Sequence, residues 1–200
     1  MNSILGLDQK IFLVLNGLRH PELDGFMLAA TDFKFWIPFY LWFIFILFKK
    51  YDQQAWLALG CIAITILITD QLTSGILKPL TQRLRPSHEP ALDGLVNLVK
   101  TTAGQFYKGG KYGFPSSHAA NSFGVATFLW LVLRKSYRWT FLGFIVAFIL
   151  TYTRLYLGVH YPSDLICGIA IGIFAGYAGW KLFEWTGKKI KTATEKVELI

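Results

Sequence analysis

Three short stretches of this sequence gather side chains able to do chemistry. "KPLTQRLRP" carries Lys78 and Arg85, "FPSSH" carries Ser116, Ser117 and His118, and "RLYLGVHYPSD" carries Arg154, His160 and Asp164. The inventory is three cations, a serine turn, two histidines and one carboxylate. Cations and backbone amides are what a phosphoryl group needs, because its transfer runs mostly on positioning and charge stabilisation. A histidine backed by a carboxylate suits a nucleophile, and a second histidine suits a general acid.

The elements that must position these groups are membrane helices. The 200 residues are 54% hydrophobic, 16% aromatic and 16% charged, with a mean hydropathy of +0.42. That profile describes a polytopic membrane protein. Apolar runs at 35–48, 55–77, 117–133, 139–158 and 164–183 each approach the ~20 residues a helix needs to cross hydrocarbon. The expected fold is all-α, a polytopic transmembrane helix bundle of five to six spans plus an N-terminal amphipathic helix, in one domain over 1–200. Residues 1–34 read as an interfacial segment, because Asp8, Gln9, Lys10 and Asn16 interrupt the apolar spacing. They do not read as a cleaved signal peptide, lacking a basic start and a small-residue cleavage site. Residues 87–114 form a long catalytic-side loop with a glycine-rich tip, and 186–200 form a polar tail.

On this map the three clusters converge. In an up-and-down bundle the end of the second span, the start of the third, the end of the fourth and the start of the fifth share one membrane face. If the chain stays helical from Lys78 to Arg85, the separation of seven puts both on one side, with Pro79 kinking the segment. Arg83 then points elsewhere, as a headgroup or loop charge. A serine of "PSSH" can cap a helix whose free amides and positive dipole end favour an anion. Pro162 suits a first helical position, which puts Asp164 in the opening turn, where it can accept a bond from one nitrogen of His160. The other nitrogen is left unprotonated and aimed at substrate.

These segments resemble the signature of the type 2 phosphatidic acid phosphatase (PAP2) family, K-x6-RP, PSGH and SR-x5-H-x3-D. Here they are Lys78, Arg85 and Pro86; Pro115, Ser116, Ser117 and His118; and Thr153, Arg154, His160 and Asp164. Spacing, order and placement on the spans all agree. Ser117 stands where the family has glycine and Thr153 where it has serine, and neither change removes a catalytic group. The resemblance implies a metal-independent phosphatase without a cofactor. His160 would attack phosphorus and form a phosphohistidine, with Asp164 orienting it. His118 would protonate the leaving oxygen and then activate water. Lys78, Arg85, Arg154, Ser116 and Ser117 would hold the phosphoryl oxygens.

The family and the membrane setting imply a phosphorylated membrane lipid as substrate, in a bacterial inner membrane. Undecaprenyl diphosphate or another envelope lipid phosphate is the leading expectation. Lipid A is a serious rival, and phosphatidylglycerophosphate or phosphatidic acid stand behind it. A phosphate-binding transporter would need polar residues through the middle of several spans, whereas here they gather at one end. A haloperoxidase of the same superfamily would be soluble. Nucleic acid is excluded as a partner, because the net charge of +8 comes without a binding motif. His88 and Glu89 lack zinc-ligand spacing, and Cys61 and Cys167 read as packing residues. Gly168, Gly172 and Gly176 lie on one face of the last span, for close helix packing or for a homo-oligomer contact. Asp70, inside the second span, is expected to bond across to another helix or to pair with a buried cation. Ten basic residues fall on each side of the bundle, but with Lys78, Arg85 and Arg154 assigned to the pocket, seven remain on the catalytic side. The positive-inside rule then turns the catalytic face away from the cytoplasm.

Overall fold

The computed structural model describes the backbone of residues 2–198 and the side chains of 6–192. Eight α-helices follow in order: α1 (Asn2–Gly17), α2 (Asp24–Thr31), α3 (Ile37–Tyr51), α4 (Ala55–Asp70), α5 (Lys78–Thr81), α6 (Ser117–Leu133), α7 (Leu142–Tyr156) and α8 (Pro162–Glu198). Each of the five apolar runs becomes a helix. Among the described residues there is no strand, only the isolated bridges Leu84–Tyr112 and Lys100–Phe106. Among the described residues three helical stretches are long and apolar enough to cross a membrane: Phe33–Thr81, Arg138–Tyr156 and Pro162–Thr192. Ser117–Leu133, at 17 residues, is shorter. The first stretch breaks at Asp52 (φ 47°, ψ −125°), which separates α3 from α4.

The α6 helix is the axis of the bundle, packed against α4, α7 and α8. Its tightest partner is α8. A Cβ added at Gly168, Gly172 or Gly176 would lie 2.4, 2.4 or 2.3 Å from the carbonyl oxygens of Ser116, Ala120 and Gly124. Only hydrogen fits there. The glycine face is thus filled by α6 of the same chain, and the homo-oligomer contact expected at that face has no surface left to use. Below this seam, Phe43, Leu47, Ala58, Cys61, Phe128, Leu133 and Phe183 form the largest core cluster. Phe45, Trp56, Leu67, Phe148 and Phe174 point outward, as side chains facing lipid do.

Two features aim the site. A π-helix, Gln71–Leu77, joins α4 to α5, and the Lys78 amide donates to the Thr73 carbonyl five residues back. Pro79 explains it: proline has no N–H and its ring collides with the carbonyl four residues earlier, and the wider π turn moves that carbonyl aside. The chain then leaves the helix at Gln82 (φ 47°, ψ 25°). The expected continuous helix from Lys78 to Arg85 is therefore corrected, because Arg85 sits in an extended segment tied to the loop by Arg85 N–H to Lys111 O at 3.2 Å.

The α1 helix is amphipathic in an inverted sense. Leu7, Ile11 and Val14 face outward, while Asp8, Phe12 and Asn16 are buried against α7 and α8. The Asn16 amide donates to the Tyr156 carbonyl at 3.0 Å.

Candidate active site

At the centre of the site lies His160, 1% exposed. Its Nε2 is 2.9 Å from Arg85 Nη1. A guanidinium can only donate, so Nε2 accepts and carries the lone pair. In the neutral ring the proton then sits on Nδ1, which faces Asp164 Oδ2 at 3.4 Å. That contact is at ion-pair range but is not aligned as a hydrogen bond, and Nδ1 has no hydrogen-bond partner among the described residues. Asp164 itself is fully buried, and its Oδ2 accepts from the Tyr161 amide at 3.0 Å. Pro162 opens α8, which places the carboxylate in the first helical turn.

The three cations reach this centre from three elements. Lys78, on α5, donates to Ser117 Oγ at 2.6 Å. Ser117 thus uses the hydroxyl that a glycine would lack to hold a lysine, and Thr73 and Ser74 close the cluster at 2.8 Å each. Arg85 is fixed by Nε to Tyr112 O at 3.1 Å and by Nη1 to Val159 O at 3.3 Å. Arg154, near the end of α7, donates to Thr31 Oγ1 at 2.6 Å and to Tyr107 Oη at 2.9 Å. Thr153 keeps its hydroxyl in the same cluster, donating towards Thr31 at 3.0 Å. Ser116 caps α6 by accepting from the Ala119 amide at 3.4 Å, and its own N–H donates to Asp164 O at 3.0 Å. One backbone bond therefore ties the capped turn of α6 to the opening turn of α8.

The same cations, Lys78, Arg85 and Arg154, bear electrostatically on both His118 and His160. Burial first, then Arg85, drives the His160 pKa well below its ordinary 6.5, so the ring stays neutral into acid. Burial and Arg154 bring Arg85 down to about 10, and it stays charged at neutral pH. His88 is also lowered, by burial and then by Lys108. It bonds Ser87 Oγ through Nδ1 at 3.1 Å. Among the described residues no group of three or more His, Cys, Asp or Glu side chains gathers as a metal site.

His118 lines a cavity of about 830 Å³. Thr31, Thr101, Tyr107 and Asn121 line its polar end, and Phe39, Phe43, Leu47, Ile62 and Leu129 line the rest. Leu129 is eleven residues along α6 from His118, about 16 Å at 1.5 Å per residue. The cavity thus runs from His118 and the two partners of Arg154, Thr31 and Tyr107, into the apolar depth of the bundle.

All eight residues singled out from the sequence fall in or beside this cluster. One expectation fails and another holds only in part. Arg83 does not point away: it donates to Asp164 Oδ1 at 2.8 Å and to Asp8 Oδ2 at 2.5 Å. The left-handed turn at Gln82 swings it inward. Asp70 makes no interhelical hydrogen bond; it is exposed and accepts from Ser74 at 3.2 Å, and of its two expected roles only an electrostatic pairing with the partly buried Lys78 has support. Thr31 and Tyr107 were invisible as site residues, because both lie far in sequence from Arg154, the residue they hold. The long loop supplies Tyr107 and folds over Arg85. Gly109 (φ +65°) and Gly113 come so close that a Cβ would lie 3.1 Å from Arg85 Nη1 and, at Gly113, 3.1 Å from Asp164 Oδ2. Two glycines in the loop were the available signal.

Residues 56–188 match the family model described as PAP2 superfamily. The chain is 40% identical over 185 residues to the lipid A 4'-phosphatase of Porphyromonas gingivalis, covering 92% of this chain and 75% of that one. It is 41% identical over 186 residues to the lipid A 4'-phosphatase of Bacteroides thetaiotaomicron, covering 92% and 78%. The undecaprenyl-diphosphatase of Sulfolobus acidocaldarius is 26% identical over 193 residues, covering 94% and 84%. The crystal structure of a transmembrane PAP2 type phosphatidylglycerolphosphate phosphatase from Bacillus subtilis shares the fold, with a TM-score of 0.65 at 21% identity over 95% of this chain and 89% of that one.

Proposed function

The chain belongs to the PAP2 superfamily and is a membrane lipid phosphatase, and from that premise we propose that it hydrolyses a phosphate monoester of lipid A through a phosphohistidine on His160. The observation that supports the chemistry best is the Arg85–His160–Asp164 arrangement. One ring nitrogen offers its lone pair where a cation waits for an anion, and the other faces a buried carboxylate.

In this mechanism Lys78, Arg85 and Arg154 take the phosphoryl oxygens, supplying the charge that a metal ion supplies in other phosphatases. Arg85 moves its N–H from Nε2 to a phosphate oxygen, which frees the lone pair to attack phosphorus. The P–O bond to the lipid breaks as the P–N bond forms, and His118, which takes up a proton once the bound phosphate offsets the charge of the cations, gives that proton to the leaving oxygen. Asp164 stabilises the positive charge that develops on the His160 ring. His118, now neutral, takes a proton from water; the water oxygen attacks phosphorus, the P–N bond breaks, and inorganic phosphate leaves. The cavity beside His118 would hold the hydrocarbon of the lipid while its phosphate reaches His160, within the ~300–1,000 Å³ range of ligand pockets.

The choice of lipid A rests on the relatives. Two lipid A 4'-phosphatases stand at 40% and 41% identity, and an undecaprenyl-diphosphatase at 26%. The leading expectation from sequence alone, undecaprenyl diphosphate, therefore gives way to its rival. We further propose five membrane spans, α3, the α4–α5 segment, α6, α7 and α8, in a bacterial inner membrane. With the three pocket cations set aside, fewer basic residues remain on the catalytic side, which by the positive-inside rule favours a periplasmic catalytic face. Purified enzyme given lipid A, undecaprenyl diphosphate and phosphatidic acid in the same micelles tests the substrate. Phosphate release should be fastest from lipid A by at least tenfold in kcat/KM; a preference for undecaprenyl diphosphate would restore the earlier reading.

A further inference from the structure

The motifs account for Asp164 but not for what grips it. Arg83 Nη1 donates to Asp164 Oδ1 at 2.8 Å and to Ser163 Oγ at 2.6 Å. Nη2 of the same guanidinium donates to Asp8 Oδ2 at 2.5 Å. Asp8, on α1, also accepts from the Ser163 amide at 3.0 Å and from Ser163 Oγ at 2.5 Å. The guanidinium lies over the Tyr161 ring at 4.3 Å. Asp8 and Asp164 are both buried, and the Arg83 side chain is 18% exposed.

We propose that Arg83 and Asp8 form a charge-sharing clamp that positions Asp164 and sets how tightly it holds a proton, which makes α1 part of the catalytic apparatus. The inference rests on the assignment of His160 as nucleophile and Asp164 as its partner. One guanidinium is divided between two carboxylates, a stoichiometry that a plain structural ion pair does not need. Paired with Arg83 alone, Asp164 would have most of its charge neutralised and would be a weak partner for a positively charged His160. With no Arg83, a fully buried carboxylate would prefer to be protonated. Asp8 draws off part of the guanidinium's charge and leaves Asp164 ionised yet able to act on Nδ1. The clamp also fixes direction: with Oδ1 held by Arg83 and Oδ2 by the Tyr161 amide, the carboxylate cannot rotate away from His160.

The charged groups facing Asp164 besides this pair are His160 at 3.4 Å and, from the segment after the π-helix, Lys78 and Arg85. Tyr161 and Cys167 are its titratable neighbours on the loop and on α8. None of these shares a hydrogen bond with Asp8, so substitutions at Arg83 and Asp8 act on Asp164 from one side only.

The test is the pH profile of lipid A hydrolysis by the full chain in detergent. Arg83→Gln should lower kcat about 100-fold, because a misplacement of about 1 Å in a positioned group can cost on the order of 10²-fold, with KM little changed. Its acid limb should move to higher pH, because a cation that favours the ionised carboxylate is gone. Asp8→Asn should move the acid limb the other way, to lower pH, because Arg83 then serves Asp164 alone. Arg83→Lys should restore part of the rate and of the profile. Opposite shifts from two neighbouring substitutions are not a signature of general destabilisation. Acid limbs that stay put, or move together, would overturn the clamp. If Arg83→Gln does not accumulate as folded protein, Asp8→Asn decides alone. His160→Ala in the same assay separates the two levels: activity there removes the underlying assignment, whereas an inactive His160→Ala beside wild-type profiles in both clamp variants removes only the clamp.

Discussion

Adding one methyl group at Gly168 should disable the site without touching a catalytic side chain. An alanine Cβ there would lie 2.4 Å from the Ser116 carbonyl oxygen and 3.0 Å from Ala119 Cβ, where ordinary contact begins at 3.4 Å. Backbone cannot yield as a flexible side chain does, so α6 and α8 must part by about 1 Å; overpacking of this kind costs about 1–3 kcal/mol. The movement falls on the residue that joins both halves of the site. Ser116 caps α6, its amide bonds the Asp164 carbonyl, and the next residue holds Lys78. A misplacement of about 1 Å can cost on the order of 10²-fold in rate. Gly176→Ala is the control, since its Cβ would meet the Gly124 oxygen at 2.3 Å but eight residues further along α8, about 12 Å from the site end. Both variants should lose similar thermal stability in detergent, while phosphate release from lipid A falls about 100-fold in Gly168→Ala and only a few-fold in Gly176→Ala. Equal rate losses in the two variants, or a Gly168→Ala enzyme as fast as the parent, would refute the link between this seam and the chemistry.

Other outcomes follow from the same geometry. His118→Ala should lower kcat by about 10²–10⁴-fold, as read by phosphate release, because both the departing oxygen and the attacking water lose their proton carrier. Activity should survive EDTA and fall with vanadate, since Lys78, Arg85 and Arg154 supply the positive charge; loss on chelation with recovery on adding zinc or magnesium would contradict this. The folded pKa of His160 lies below its ordinary value, so its neutral form contributes stability above about pH 6.5. That contribution is lost as pH falls towards the folded value, and His160→Gln should therefore be less acid-sensitive in thermal unfolding than the parent. A cysteine at position 108, with Cys61 and Cys167 replaced, should react with an impermeant thiol reagent in spheroplasts whose inner membrane is intact; reaction only after lysis would put the site in the cytoplasm.

Much of this was legible in the sequence because chemistry there is written in local spacing. His160 and Asp164 are four residues apart at a helix start, and Ser116 caps the helix that it opens. The apolar runs marked the helices because every turn facing lipid must be apolar. What was missed depends on backbone geometry. The π turn and the left-handed Gln82 rotate the chain after Lys78, so helical periodicity assigned Arg83 to the wrong side. Thr31, Tyr107 and Asp8 come from segments 40 or more residues away from the motif residues they touch, brought in by packing that no local pattern encodes. The α1 helix was misleading for a related reason: its polar residues looked like a water-facing stripe, whereas Asp8 and Asn16 face protein and the apolar stripe faces outward.

The central claim is that His160 carries the phosphoryl group during turnover. Enzyme mixed with lipid A labelled in its phosphate, and quenched within one turnover in strong base, should hold label on the peptide containing His160. The bond should survive alkali and break in acid, as a phosphoramidate does, and the label should be absent from His160→Ala. Turnover by His160→Ala, or label on any other residue of the wild-type chain, would contradict the account.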